Sequence, residues 1–291
     1  MFDEENVIYR YKYLPYTEGS IKTLTDSTIK FTNPLDFNDP FDCKPYYDTT
    51  NIDRLPQLKP DLFKAAGDRR GLSPAKRLQD KGKFIARLRN RLEDGSFAKE
   101  SISRVGVVSL SKNALNILMW SHYADFHRGF VLEFRIPIKG LKKDVLLTNE
   151  RLLPFPVIYQ HERPHIDVGS ELPDDLINKV VLTKSTDWKY EEEERVVDHE
   201  RGPGIHHYRR DEILCSVIAG MEMSNDNYAN LKSIVESLKE VNKNNLSIFK
   251  ASDKKDEYKL NVTGHPRLHN SGIEKTLNNT LKRDRQKAAT P

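Results

Sequence analysis

Apolar and polar positions alternate from the start of the chain. In Val7–Leu14, VIYRYKYL, Val7, Tyr9, Tyr11 and Tyr13 fall on one face and Ile8, Arg10 and Lys12 on the other, which predicts a strand. Two readings of Arg10 follow: an ordinary strand residue, or a cation held rigidly at a cleft to bind an anion or a ribose. Residues 105–110 and 129–134 read as two further strands, with a helix over 113–123 between them. Residues 213–219, ILCSVIA, form the most strand-like run and predict a central strand. Residues 226–241 carry Leu231, Ile234, Val235 and Leu238 at helical spacing after Ser224, a preferred N-cap residue. Residues 246–251 and 258–262 predict two strands around a charged turn. A helix is expected over 172–182, a short helix or turn leading into a strand over 21–31, and an irregular segment ending in a strand over 153–159. Residues 202–208, GPGIHHY, read as a turn-rich loop and 49–60 as a polar linker.

Charge changes this picture in three places. From Arg69 to Arg91 there are nine Lys/Arg and one acid, Asp80. Ser73-Pro74 starts a helix there that runs to about Glu93 and is either a solvated helix or a contact for nucleic acid or an acidic partner. Residues 265–291 hold six Lys/Arg against two Asp/Glu and few apolar residues, which predicts a disordered basic tail. Residues 191–194 are four consecutive glutamates. Such a run resists full burial because the charges repel. If it is extended, Glu191, Glu193 and Arg195 share one face and Glu192 and Glu194 the other.

The net charge of +4 implies no nucleic-acid function by itself, and Cys43 and Cys215, without a CxxC pair, fit a reducing, cytoplasmic compartment. The acidic start lacks the apolar core of a secretory signal, and no apolar run reaches membrane-spanning length, so no membrane association is expected. The loop FTNPLDFNDPFDC spaces Asp36, Asp39 and Asp42 in a pattern unlike an EF-hand, and turn formation is the favoured role. His122 and His127 do not form a metal-binding HExxH, and no metal site is expected. Candidate chemistry gathers in 105–134, where Ser109-Leu110-Ser111 and Trp120-Ser121-His122-Tyr123 lie between predicted core strands.

Tyr9-Arg10-Tyr11, Phe37-Asn38-Asp39-Pro40-Phe41-Asp42, Met119-Trp120-Ser121-His122-Tyr123-Ala124, Gly129-Phe130 and Trp188 with Tyr190 to Arg195 together resemble a bacterial family catalogued as domain of unknown function 2971. Members occur in mobile and defence gene neighbourhoods. Arg10 on a first strand, Ser109 and Ser111 ending a middle strand, and Glu191 and Glu193 entering a later strand resemble, more distantly, the Arg–Ser–Glu order of ADP-ribosyltransferases. That resemblance implies an α+β fold with a mixed, mostly antiparallel split sheet and flanking helices. One domain would span residues 1–264, with a basic helical insertion at about 52–104.

The resemblance also implies NAD as substrate and ADP-ribosyl transfer to a nucleic-acid or protein acceptor. The setting would be a toxin or anti-phage effector with a neutralising partner protein. Glu193 would be the catalytic carboxylate and Glu191 would orient the acceptor. Arg10 would fix the dinucleotide, Ser109 and Ser111 would shape the nicotinamide-ribose pocket, and Trp120 or Tyr123 would stack on the ring. His122 would serve as a scaffold hydrogen bond at the same site. The register of the acidic run leaves Glu192 and Glu194 open as the inward pair. Two other classes stay open: a non-enzymatic partner protein, and a metal-dependent nuclease using Asp39, Asp42, Glu191 and Glu193.

Overall fold

Val7–Leu14 (β1) lies in the middle of a seven-stranded sheet in the computed structural model, which describes residues 6–138, 149–168, 176–242 and 245–268. The other strands are Gly106–Ser111 (β2), Phe130–Pro137 (β3), Phe155–Pro156 (β4), Glu193–Asp198 (β5), Leu214–Ala219 (β6) and Ser247–Lys250 (β7). Their spatial order is β7-β6-β3-β1-β2-β5-β4. Only β6 and β7 are parallel; every other pair in this sheet is antiparallel. The described chain is thus a mixed α+β structure with a mostly antiparallel sheet and helices packed around it.

The sheet is split. β1 pairs with β3 over its whole length, from Val7↔Pro137 to Leu14↔Phe130, but meets β2 at one rung, Tyr11↔Ser111. Beyond that rung β1 and β2 diverge. Thr32, just after the short strand Thr28–Phe31, takes the vacated edge through two backbone hydrogen bonds with Val107, at 2.8 and 2.9 Å. An apolar layer crosses beneath the split. Val108, Leu110 and Val196 from one side pack with Leu132 and Phe134 from the other, over Leu24 and Phe31.

The predicted helices take their places for the expected reasons. Asn225–Asn242 (α4 in chain order, after Glu18–Thr25, α1; Lys81–Glu93, α2; and Ile117–Tyr123, α3) buries Leu231 and Val235, with Ile234 and Leu238 partly covered. Helix α3 is shorter than the predicted 113–123 because Asn116 caps it, accepting from the N–H groups of Leu118 and Met119 at 2.9 and 3.2 Å. The Asn116 amide also donates to Tyr190 O at 2.7 Å. Asn116→Ala is expected to cost about 1–2 kcal/mol, read as a lowered denaturation midpoint. Gly220 allows a close crossing: a Cβ there would sit 1.9 Å from His127 O.

Four expectations change. Residues 49–60 are not a linker: helical turns at Ile52–Arg54 and Leu55–Leu58 bury Ile52 and Leu55 against Ile85 and Leu92 of α2. The basic stretch is two helices, Pro74–Gln79 and α2, separated at Asp80. Several of its cations are paired with acids outside the stretch, Arg77 with Asp68, Arg89 with Asp53 and Arg91 with Glu100. Gly204–His207 is a strand pairing with Thr28–Phe31, not a free loop. The folded chain also continues past the expected boundary at 264. His265 is fully buried and its Nε2 donates to Glu133 Oε2 at 3.0 Å, and Arg267 grips the same carboxylate at 2.6 and 2.9 Å. Residues 269–291 of the predicted tail and 172–175 of the predicted helix lie outside the described residues.

Glu133 is itself fully buried and also accepts from Tyr11 and Ser216. Burial would raise its pKa, but the His265, Arg267 and Ser216 hydrogen bonds outweigh burial and hold it well below the usual carboxylate range. Glu133→Gln is expected to destabilise by about 1–3 kcal/mol and to loosen His265–Leu268. Faster proteolysis at the C-terminal end, relative to the rest of the chain, is the check.

Candidate functional site

The divergence of β1 and β2 opens a chamber of about 240 Å³. Tyr11, Lys12 and Tyr13 line it from β1, and Ser109, Leu110 and Ser111 from β2. Asp36, Phe37, Asn38 and Asp42 enter from the predicted turn loop, Met119 and Tyr123 from α3, and Lys184, Glu191, Glu193 and Arg195 from the approach to β5 and its first residues. The turn role of the loop is visible beside it: Asp39 Oδ1 accepts from Phe41 N–H at 2.8 Å, and Asn33 Oδ1 from Leu35 N–H at 2.9 Å.

A buried charge cluster forms one wall. Lys184 contacts Glu191, reaches Glu193 Oε2 at 3.1 Å, and lies 3.9 Å from Asp42 Oδ2. Arg195 is 1% exposed. Its guanidinium pairs with Asp42 at 2.5 and 3.1 Å and with Glu193 at 2.9 and 3.1 Å, a two-sided clamp. The local backbone explains how Glu191 and Glu193 meet one cation. Glu191 ends a 3₁₀ turn, Thr186–Glu191, and Glu193 begins β5. Glu192 between them is left-handed, with φ 47° and ψ 45°, and turns outward.

The two glutamates differ electrostatically. Burial would raise the Glu193 pKa, but the Arg195 and Lys184 charges outweigh it and hold it down at about 2. Glu191 is shifted upward: burial dominates, offset only in part by Lys184. Tyr123 O–H donates to Glu191 Oε1 at 2.6 Å, and Asn38 donates to the Tyr123 oxygen at 3.3 Å. Ser111 O–H donates to Glu191 O at 2.7 Å, fixing the backbone of that residue.

Of the residues singled out from sequence, Glu191, Glu193, Ser109, Ser111 and Tyr123 come together at the chamber. Arg10 does not. It lies on the opposite face of β1 from Tyr11, where Glu194 also points. Arg10 Nε and Nη2 hold Glu194 at 2.6 and 2.9 Å. Trp120 does not either: it is fully buried, donates to Ala114 O at 2.8 Å, and packs edge-on against Tyr13, so no ring face is open to a ligand. His122 is exposed at the mouth and bonds Tyr190 Oη at 3.0 Å. There Trp188, Tyr190, His122 and Tyr123 form a continuous aromatic wall, with neighbouring ring centroids 6.0–6.2 Å apart.

The acidic run is also more buried than its charge predicted. Glu191, Glu193 and Glu194 are each 6% exposed or less, and only Glu192 faces solvent. The cations Lys184, Arg195 and Arg10 make that tolerable. Lys12 and Lys184 were not singled out from sequence, and as a site residue Asp42 entered only as a carboxylate of the nuclease alternative. The usable signal was the demand for counterions: a run of carboxylates entering an apolar strand needs buried cations, and Lys184 stands seven residues upstream between Val180-Val181-Leu182 and Trp188.

The nuclease arrangement does not form. Asp42, Glu191 and Glu193 converge on Lys184 and Arg195, and Asp39 caps a turn. Among the described residues no three His, Cys, Asp or Glu side chains make a metal-binding group, and no helix is long and apolar enough to cross a membrane.

No curated protein and no solved structure matches the chain. Residues 119–196, the stretch that carries the aromatic wall, Lys184, both chamber glutamates and Arg195, match the model of the family described as "Protein of unknown function (DUF2971)".

Proposed function

We propose that the chamber binds the nicotinamide-ribose end of NAD and transfers ADP-ribose to a macromolecular acceptor, as a toxin or defence effector would. The observation that carries this reading is the convergence of Glu191 and Glu193 beside Ser109, Ser111 and Tyr123 in the split of the sheet. Cleavage of an N-ribosyl bond develops positive charge on the ribose, and a nearby carboxylate stabilises it. The lining holds four acids, Asp36, Asp42, Glu191 and Glu193, against three bases, Lys12, Lys184 and Arg195. That balance favours a developing cation over a phosphate. The volume is below the ~300–1,000 Å³ common for drug-sized ligands, so one end of a dinucleotide fits inside. The rest lies along the aromatic mouth, which shares Asn38 and Tyr123 with the chamber.

In this reading Glu191 faces the ribose and Glu193 positions Lys184 and Arg195, a reversal of the roles implied by resemblance. Arg10, already held by Glu194, has no part in binding the dinucleotide. The test is nicotinamide release from NAD by the purified chain, with protein and with single-stranded nucleic acid offered as acceptors. Release with label transferred to one acceptor supports the reading, and intact NAD with both removes it. The full mutual pairing of Arg195, Asp42 and Glu193 favours a second reading, in which the cluster only stiffens a non-enzymatic partner protein. Intact NAD together with a co-purifying partner would support that one.

A further inference from the structure

Positive charge is segregated along the chain. Residues 52–104 hold 14 Lys/Arg against 7 Asp/Glu, out of 47 and 43 in the whole sequence, so the remainder holds 33 against 36. The excess gathers at a groove of about 180 Å³ between the helix Pro60–Asp68 and the first half of α2. Arg70, Arg77, Lys83 and Arg87 line it, together with the acid Asp80. Asp80 and the neighbouring Asp68 are each shared by two cations. Asp68 meets Lys64 at 3.1 Å and Arg77 at 2.8 Å, and Asp80 meets Lys76 at 3.6 Å and Lys83 at 3.5 Å. Arg70 and Arg87 are exposed and have no carboxylate within 4.0 Å among the described residues. Phe63 and Phe84 also line the groove, half-buried and edge to face, with ring centroids 5.3 Å apart. Gly67 lets Arg77 lie close against the helix, since a Cβ there would sit 2.1 Å from Arg77 Cδ. Arg77 Nη1 donates to Lys64 O at 3.2 Å and so ties Pro74–Gln79 to the groove wall.

We infer that this groove is a binding site for single-stranded nucleic acid, with Arg70 and Arg87 on backbone phosphates and the Phe63–Phe84 floor against a base. A guanidinium presents parallel N–H donors that match a phosphate, and these two have no internal acid to satisfy. A cationic groove with ring surface in it suits a flexible strand, because its phosphates and its unstacked bases are both within reach. A duplex keeps its bases in the stack and has no use for the ring floor. An acidic peptide would satisfy the arginines and leave the rings without a flat partner. The Arg77–Asp68 and Lys83–Asp80 pairs hold the walls, so the unpaired arginines add charge without carrying the fold. The groove shares no lining residue with the chamber, and the strand site stands whatever chemistry the chamber performs.

The experiment is fluorescence anisotropy of labelled oligo-dT and oligo-U titrated with the full chain between about 50 and 200 mM salt. Binding should weaken as salt rises, with a log–log slope of about −0.7 for each phosphate contact. Arg70→Gln combined with Arg87→Gln should weaken binding at least about tenfold and flatten the slope by about 1.4. Its circular dichroism should match that of the native chain, since both side chains are exposed and unpaired. Arg70→Lys with Arg87→Lys keeps the charge and should keep the slope, and Lys239→Gln on α4 should change neither quantity. An unlabelled duplex should compete less well than a single strand. No binding by the native chain, unchanged affinity in the double glutamine variant, or equal competition by duplex would each overturn the assignment. Residues 269–291 are present in native chain and variant alike, so binding carried by them alone gives the unchanged result. Polyglutamate bound through the same two arginines, with oligo-dT and oligo-U left free, would give the groove to an acidic protein partner instead. The assay contains no NAD, so a negative result leaves nicotinamide release unaffected, and intact NAD leaves the strand site standing.

Discussion

Arg195→Met should lower stability by about 3–5 kcal/mol, the range for stripping one member from a buried ion-pair group. The variant leaves Asp42 and Glu193 facing each other with only Lys184 between them, all three nearly inaccessible to solvent. The measurement is a urea titration followed by Trp fluorescence and circular dichroism. A midpoint equal to that of the native chain would mean that the clamp contributes nothing. Acid should reveal the same residues. The folded-state pKa of Glu193 is about 2, against an ordinary value of 4.5. Its ionised form therefore stabilises the fold fully above about pH 4.5. That contribution is lost as pH falls from there toward 2. Arg195→Met removes most of it in advance, so the variant should lose less stability than the native chain across that window.

Glu191→Gln should cut nicotinamide release about 10²–10³-fold, the usual loss when one group that stabilises a developing charge is removed. Its effect on folding should be smaller than that of Glu193→Gln, because burial raises the Glu191 pKa and an amide oxygen can still accept from Tyr123. Glu193→Gln should behave differently and lose stability as well, since Arg195 and Lys184 would lose their principal shared partner. The pair of variants, assayed for turnover and for denaturation midpoint, separates a group that faces the substrate from one that holds other groups in place. Native-rate turnover by Glu191→Gln would exclude the role given to it.

The periodic elements were readable because local patterning dominates them. β1 has the bounds its alternation predicts, and α4 differs from its apolar stripe by one residue at each end. Faces were readable as well. The two-residue period correctly put Arg10 opposite Tyr11, but it could not say that the face receiving Arg10 also receives Glu194 from a strand on the far side of β2. The acidic run shows the limit most clearly. Repulsion among four glutamates is a local argument, while the Arg195–Asp42 pair that relieves it spans 153 residues. Trp120 failed as a ligand wall for a related reason. An aromatic beside a polar cluster looks the same in sequence whether its indole N–H turns to a substrate or to Ala114 O. Gly204–His207 shows the same limit in the backbone, for turn residues hid a strand whose partner lies far upstream.

The single rung between β1 and β2 gives the molecule a mechanical character. One slab of sheet, β7-β6-β3-β1, meets another, β2-β5-β4, along a seam whose backbone pairing is the one rung Tyr11–Ser111 and which the Arg10–Glu194 ion pair also crosses. The apolar layer beneath acts as the pivot, because sliding side chains resist a small rotation less than a row of backbone hydrogen bonds would. Lys12 and Ser109 sit across that seam like the two jaws of a caliper, with one hydrogen bond between them. The gap is therefore governed by the angle between two stiff plates more than by any one rotamer. A guest that inserts between the jaws would be felt at both outer edges of the sheet.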